Sequence, residues 1–148
     1  MEYKGNIKIL EFYKIAFLCS QKCPANIVLK SYDWAKEQRA KGSCIICGNH
    51  SQIEKDVFEI LLKGKQPLIL VLPRSLKSRW KPVILKSVKE KRLLVISPFD
   101  EQHNRITREN AIEKNKTIIS LGDEIVVGYK SKNGQLEDLL KRIEYDEL

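Results

Sequence analysis

Three short clusters hold the residues whose types and spacing could do chemistry. Lys114-Asn115-Lys116 sets two cations around an amide, which suits a phosphodiester together with a base edge. Cys19-Ser-Gln-Lys-Cys-Pro24 follows an apolar run and opens a helix, where backbone N–H groups, Ser20 and Lys22 could hold a phosphate. Cys47-Gly-Asn-His-Ser51 repeats that arrangement: Gly48 permits close backbone approach to a ligand, and Asn49 and His50 can reach phosphate or base. Neither loop is a Gly-x-Gly-x-x-Gly dinucleotide fingerprint or a Walker A loop, because the glycines are missing. Ser51 with Glu54 forms a capping-box pattern, a sufficient structural task for both.

The charge balance points the same way. The 148 residues carry a formal net charge of +8. Between Arg74 and Arg92 the cations Arg74, Lys77, Arg79, Lys81, Lys86, Lys89, Lys91 and Arg92 face Glu90 alone, while the tail after Gly134 is net acidic. A basic stretch around Trp80, with Arg74 and Arg79 at its start, offers phosphate-backbone contacts beside an aromatic face. An apolar share of 43% with 31% charged residues describes an ordinary globular chain of single-domain length. No run approaches the ~20 apolar residues of a membrane span, and Ile15–Cys19 is too short for a signal peptide. A cytoplasmic home is expected, with the four cysteines as thiols.

Metal and covalent chemistry have thinner support. Cys44 and Cys47 are three positions apart in a predicted strand, which turns them to opposite faces. If the first two strands are neighbours, Cys19, Cys23, Cys47 and His50 could converge on a zinc ion. Thiols in strands more commonly serve as small apolar fillers, so no metal is expected. There is no Gly-x-Ser-x-Gly elbow and no His-Glu-x-x-His helix. Glu54 and Asp56 read as solubilising carboxylates on an exposed helix face; Glu101, Glu109 and Glu137 are acid–base candidates by position alone.

The elements that must position these clusters alternate. Residues 1–10 form an arm or an extra edge element. Strands are predicted at Phe12–Cys19, Cys44–Cys47, Leu68–Leu72, Leu93–Ser97 and Ile125–Gly128. Helices are predicted from Pro24 to about Ala40 with Gly42 as breaker, from Ser51 to Lys63-Gly64, over Pro82–Lys89, from Thr107 to Leu121, and after the Asn133-Gly134 turn. Pro98–Ile106 is a long polar loop and a functional surface. Single helices between strands imply βαβ units: an α/β, three-layer Rossmann-like sandwich with a mostly parallel sheet of at least five strands. Its functional loops, with Ser20, Gly48, Phe99 and Lys114, should gather at the carboxyl ends of the strands.

These segments resemble the DprA/Smf (DNA-processing protein A) family over roughly residues 12–142. Lys114-Asn115-Lys116, Ile118-Ile119, Ser120-Leu-Gly and Asp123 follow the order of that family's Arg-Asn-Arg motif, with Lys for Arg; the Ser20 loop stands where the family has Gly-Ser-Arg, and the Gly48 loop where it has Ser-Gly. The resemblance implies a stand-alone Rossmann-like domain that binds single-stranded DNA without catalysis. Its setting would be DNA processing, recombination or natural transformation, and a homodimer is compatible with it. The related lysine-decarboxylase-like (LOG) nucleotide phosphoribohydrolases share the fold, but their Pro-Gly-Gly-x-Gly-Thr loop is absent and Gly134-Gln-Leu-Glu137 only echoes it. A module for a nucleotide-derived ligand, or a LOG-like hydrolase, is the competing expectation.

Overall fold

A computed structural model of the chain describes residues 1–100 and 102–148. Glu101, one of the acid–base candidates, lies outside the described residues.

The apolar runs become strands because each can bury both of its faces. β2 (Lys14–Leu18), β3 (Cys44–Cys47), β4 (Leu68–Val71), β5 (Leu93–Ser97) and β6 (Glu124–Val127) pair in parallel. Their residues are almost all buried, as expected of a sheet covered on both sides. The arm supplies β1 (Glu2–Gly5), which pairs antiparallel with β5. Asp146–Glu147 form β7, parallel to β6 and not anticipated from the sequence. The result is a seven-stranded sheet in the order β1-β5-β4-β3-β2-β6-β7.

Helices cover both faces. One layer holds α1 (Ala25–Lys41), α2 (Gln52–Leu62) and α3 (Pro82–Lys89), which bury Trp34, Ala35, Val57, Phe58, Leu61 and Ile84. The other holds a 3-10 turn at Ile7–Glu11, α4 (Arg108–Leu121) and α5 (Gln135–Leu139), contributing Ile9, Ile118 and Leu136. Phe17 of β2 stacks on Trp34 of α1, with ring centroids 5.1 Å apart.

Local signals account for the helix ends. α1 stops at Gly42, whose φ of 76° is the left-handed conformation that a C-terminal cap requires. The Ser51–Glu54 capping box is made in both directions. Thr107 caps α4 by accepting from the Asn110 N–H. Arg92 donates to the carbonyls of Leu61 and Leu62 at the end of α2 and to that of Gln66. That guanidinium therefore ties α2 to β5 and is not free for phosphate.

The connectivity creates a switch point. After β2 the chain moves through β3, β4 and β5 in one direction, then returns along α4 to place β6 on the other side of β2. α1 leaves β2 on one face and α5 leaves β6 on the opposite face, so a crevice must open between their carboxyl ends. No described helix is long and apolar enough to cross a membrane.

Candidate functional site

A cavity of about 440 Å³ occupies this switch point. Its walls come from the loop after β2 (Cys19–Lys22), the loop after β3 (His50, Ser51), the start of α4 and the β6–α5 connection (Ser131, Gly134–Leu136). Of the residues singled out from sequence, Ser20, Lys22, His50, Lys114 and Asn115 meet here.

The loops are locked to each other. The Ser20 N–H donates to the Tyr129 carbonyl at 2.8 Å, and the Ser20 hydroxyl accepts from the Ser131 N–H at 3.0 Å. Ser20 thus joins the β2 and β6 loops, and its backbone N–H is engaged within the protein instead of facing a phosphate. The side-chain amide of Gln21 is 3.1 Å from Nε2 of His50.

The floor differs from the sequence expectation. Lys114 is only 1% exposed, and its ammonium donates to Glu54 Oε2 at 2.8 Å and Oε1 at 3.1 Å. Glu54, expected on an exposed helix face, is 2% exposed. A Cβ on Gly48 would stand 2.7 Å from the Lys114 ammonium nitrogen and 3.0 Å from Glu54 Oε2. Gly48 therefore makes room for an internal ion pair rather than for close approach of a ligand. His50 is held below its ordinary pKa, first by burial and then by the nearby Lys114 charge, so the neutral imidazole is favoured.

Lys116 does not join Lys114. Two residues on a helix are about 200° apart, so Lys116 faces outward and pairs with Glu113 at 3.2 Å. The cations of Arg74–Arg92 also divide. α3 runs antiparallel to the strands for about 12 Å, taking Lys89, Lys91 and Arg92 toward the amino edge. Lys77, Arg79 and Lys81 stay at the carboxyl edge.

There they line a second cavity of about 430 Å³ with Asn49, Lys55 and Trp80, over an apolar floor that includes Phe58, Leu70 and Leu72. Exposed Ile106 lines both cavities, so the two adjoin along the carboxyl edge. Arg74 lines neither; its Nε donates to the Ser75 carbonyl. Phe99 is buried just past β5 and packs on His103, centroids 4.8 Å apart.

The proposed zinc ligands are not assembled. β2 and β3 are indeed neighbours, and Cys44 and Cys47 do face opposite cores. Cys47 is completely buried, and burial raises its pKa. Among the described residues no three His, Cys, Asp or Glu side chains are grouped to hold a metal ion, and all four thiols are free.

Sequence reading missed Arg108, Gln135, Ser131 and Glu54 as members of the site. A signal existed for two of them. The Thr107 cap and the Gly134 turn start helices directly after strand-end loops, which puts Arg108 and Gln135 at the carboxyl edge.

Known structures share this fold. DNA processing protein A from Streptococcus pneumoniae superposes with a TM-score of 0.75 at 18% identity, covering 98% of this chain and 52% of that one. The chain has the Rossmann-like fold of the matched part of DNA processing protein A. The same protein from Helicobacter pylori, which binds single-stranded DNA, matches with a TM-score of 0.68 at 16% identity over 98% of this chain and 80% of that one. The molybdenum cofactor binding protein from Rippkaea orientalis matches less closely, with a TM-score of 0.56 at 10% identity over 87% and 71% of the two chains. No family model and no curated protein sequence matches the chain. This chain thus spans about half of the pneumococcal DNA processing protein A.

Proposed function

We propose that this chain binds single-stranded DNA along the carboxyl edge of its sheet, without covalent chemistry, as a DNA-processing accessory. The observation that carries this reading is the adjoining pair of cavities. Lys22 and Arg108 border one, Lys77, Arg79 and Lys81 border the other, and Trp80 lies among the latter. Cations follow a phosphate backbone and an indole accepts a stacked base of any identity. The likeness to the Helicobacter pylori protein supports the same reading.

The carboxylates near the site favour binding over hydrolysis. Both oxygens of Glu54 accept from Lys114, Glu137 accepts from the Asn133 N–H, and Glu109 lies exposed on the first turn of α4. Glu54 is held in its ion pair, and among the described residues neither Glu109 nor Glu137 is hydrogen-bonded to a second titratable side chain. A second reading rests on the switch-point cavity alone, which could receive a nucleotide-derived small ligand.

Titration of a labelled single-stranded oligonucleotide at low and high salt tests the proposal. Binding that weakens steeply with salt is expected. Absence of binding at low salt, together with binding of a nucleoside monophosphate, would give the second reading the site.

A further inference from the structure

The sheet has two free margins, and they differ in charge pattern. β7 ends it on one side with Asp146 and Glu147, both exposed acids. β1 ends it on the other, and among the described residues no strand pairs with its outer edge. That edge presents a row of unpaired backbone donors and acceptors, the template on which another strand adds. Opposite residues of an antiparallel pair project from the same face. Tyr3 therefore shares the face of Ile96, with Ile9 and α4, whereas Lys4 shares that of Val95, with α3. Lys4 is turned over the Trp80 ring on the α3 side, its ammonium 5.9 Å from the centroid, and does not shield the edge. Met1 and Tyr3 are exposed along it. On α3, Val83 lines the cavity beside α2, so Leu85, about 200° further round the helix, is exposed toward the β1 side.

We infer that β1 is a self-pairing edge, on which a second copy of this chain adds its own β1 antiparallel and extends the sheet across a two-fold axis. Charge complementarity sets the register. A two-fold axis perpendicular to the sheet opposes residues of one face, so it must pass beside Glu2, Tyr3 or Lys4. An axis at Glu2 opposes two glutamates and an axis at Lys4 opposes two lysines, and like charges directly opposite are destabilising. An axis at Tyr3 sets the two Tyr3 rings together on one face. On the other face it sets each Glu2 opposite the Lys4 of the other copy. β7 has no such register, because any self-pairing there sets acid against acid. Pairing β1 with β7 would join copies head to tail, whereas the two-fold arrangement closes at two. A strand of 4 residues forms an interface smaller than the about 1,200 Å² of stable complexes, so the association is weak and reversible. The sheets of the two copies run in opposite directions and both carboxyl edges stay open, so this inference is independent of the DNA reading.

Sedimentation velocity of the whole chain, from micromolar to millimolar concentration, tests the pairing. A monomer that converts reversibly into a dimer is expected. Glu2→Lys and Lys4→Glu should each stay monomeric through that range, because each sets like charges opposite one another. An equimolar mixture of the two variants should dimerise, since every lysine then faces a glutamate. The double variant Glu2→Lys/Lys4→Glu should dimerise as the parent does. Circular dichroism and melting check that each variant is folded, and rescue by mixing cannot come from a chain that has lost its β1. The inference is overturned by a parent that is monomeric at every concentration or by a dimer that both single variants leave intact. Folded single variants that remain apart when mixed overturn it as well.

Discussion

Lys114 and Glu54 form a buried ion pair that joins the two helical layers over the end of the sheet. Glu54 stands on the first turn of α2 in one layer, and Lys114 on α4 in the other. Their contacts of 2.8 and 3.1 Å run directly above the bare backbone of Gly48. The pair determines which cations remain for a ligand, and it determines the shape of the cavity floor.

Breaking the pair on one side should be costly. Glu54→Gln retains the capping box, so it isolates the ion pair from the helix cap. Either Glu54→Gln or Lys114→Met should destabilise the protein by about 3–5 kcal/mol, because each leaves an uncompensated buried group. The double variant Glu54→Leu/Lys114→Met should recover much of that loss. Urea unfolding of the three proteins measures it, and a single variant as stable as the parent would show that the pair does not persist in solution.

Gly48→Ala should destabilise by about 1–3 kcal/mol, since the new methyl overlaps the Lys114 side chain. In a Lys114→Ala background the two shortest approaches are gone and only that to Glu54 Oε2, at 3.0 Å, remains. A double-mutant cycle should then show a coupling of about 0.5–3 kcal/mol between positions 48 and 114. Strict additivity would contradict the close approach.

The edge cations should separate into two groups in DNA binding. Lys22→Ala, Arg79→Ala and Arg108→Ala should each weaken oligonucleotide binding and reduce the salt slope by about 0.7 per phosphate contact removed. Lys116→Ala and Lys89→Ala should change neither quantity, because those side chains face away from both cavities. Equal losses from all five would place the DNA elsewhere.

His50 should titrate below its ordinary value of 6.5, with burial as the main cause. A lowered native value means that the unfolded chain takes up the proton first on acidification. The associated stability is therefore complete above 6.5 and is lost as pH falls from there through the native midpoint. Proton NMR can follow it readily, since the chain has 2 histidines. A midpoint at or above 6.5 would mean that the imidazole is solvated or paired with an acid.

Hydrolysis provides a further check. Incubation with nucleoside monophosphates should release no free base, because Glu54 is held by Lys114 and, among the described residues, neither Glu109 nor Glu137 is hydrogen-bonded to a second titratable side chain. Turnover abolished by Glu109→Ala or Glu137→Ala would replace the binder with an enzyme.

Much of the architecture was legible because strands and helices are signalled by local patterns. Runs such as Leu68–Val71 are apolar on both faces, as a doubly covered parallel strand must be. Ser51, Thr107 and Gly42 mark helix ends within one turn of the chain. β7 escaped notice because two exposed acidic residues carry no strand pattern of their own; backbone pairing with β6 makes them a strand.

The candidate site was legible only in part. The sequence by itself determined that Ser20, His50 and Lys114 would approach one edge of the sheet, since βαβ connectivity sends every strand-end loop there. It also determined that Lys114 and Lys116 lie on one helix. Tertiary structure alone decided that Lys114 turns inward to a carboxylate sixty positions away, whereas Lys116 stays in solvent. It likewise decided that Arg92 caps α2 while Arg79 lines an open cavity. The physical reason is that the free energy of a charge depends on its partners and its exposure to water, and both are set by packing between segments remote in sequence.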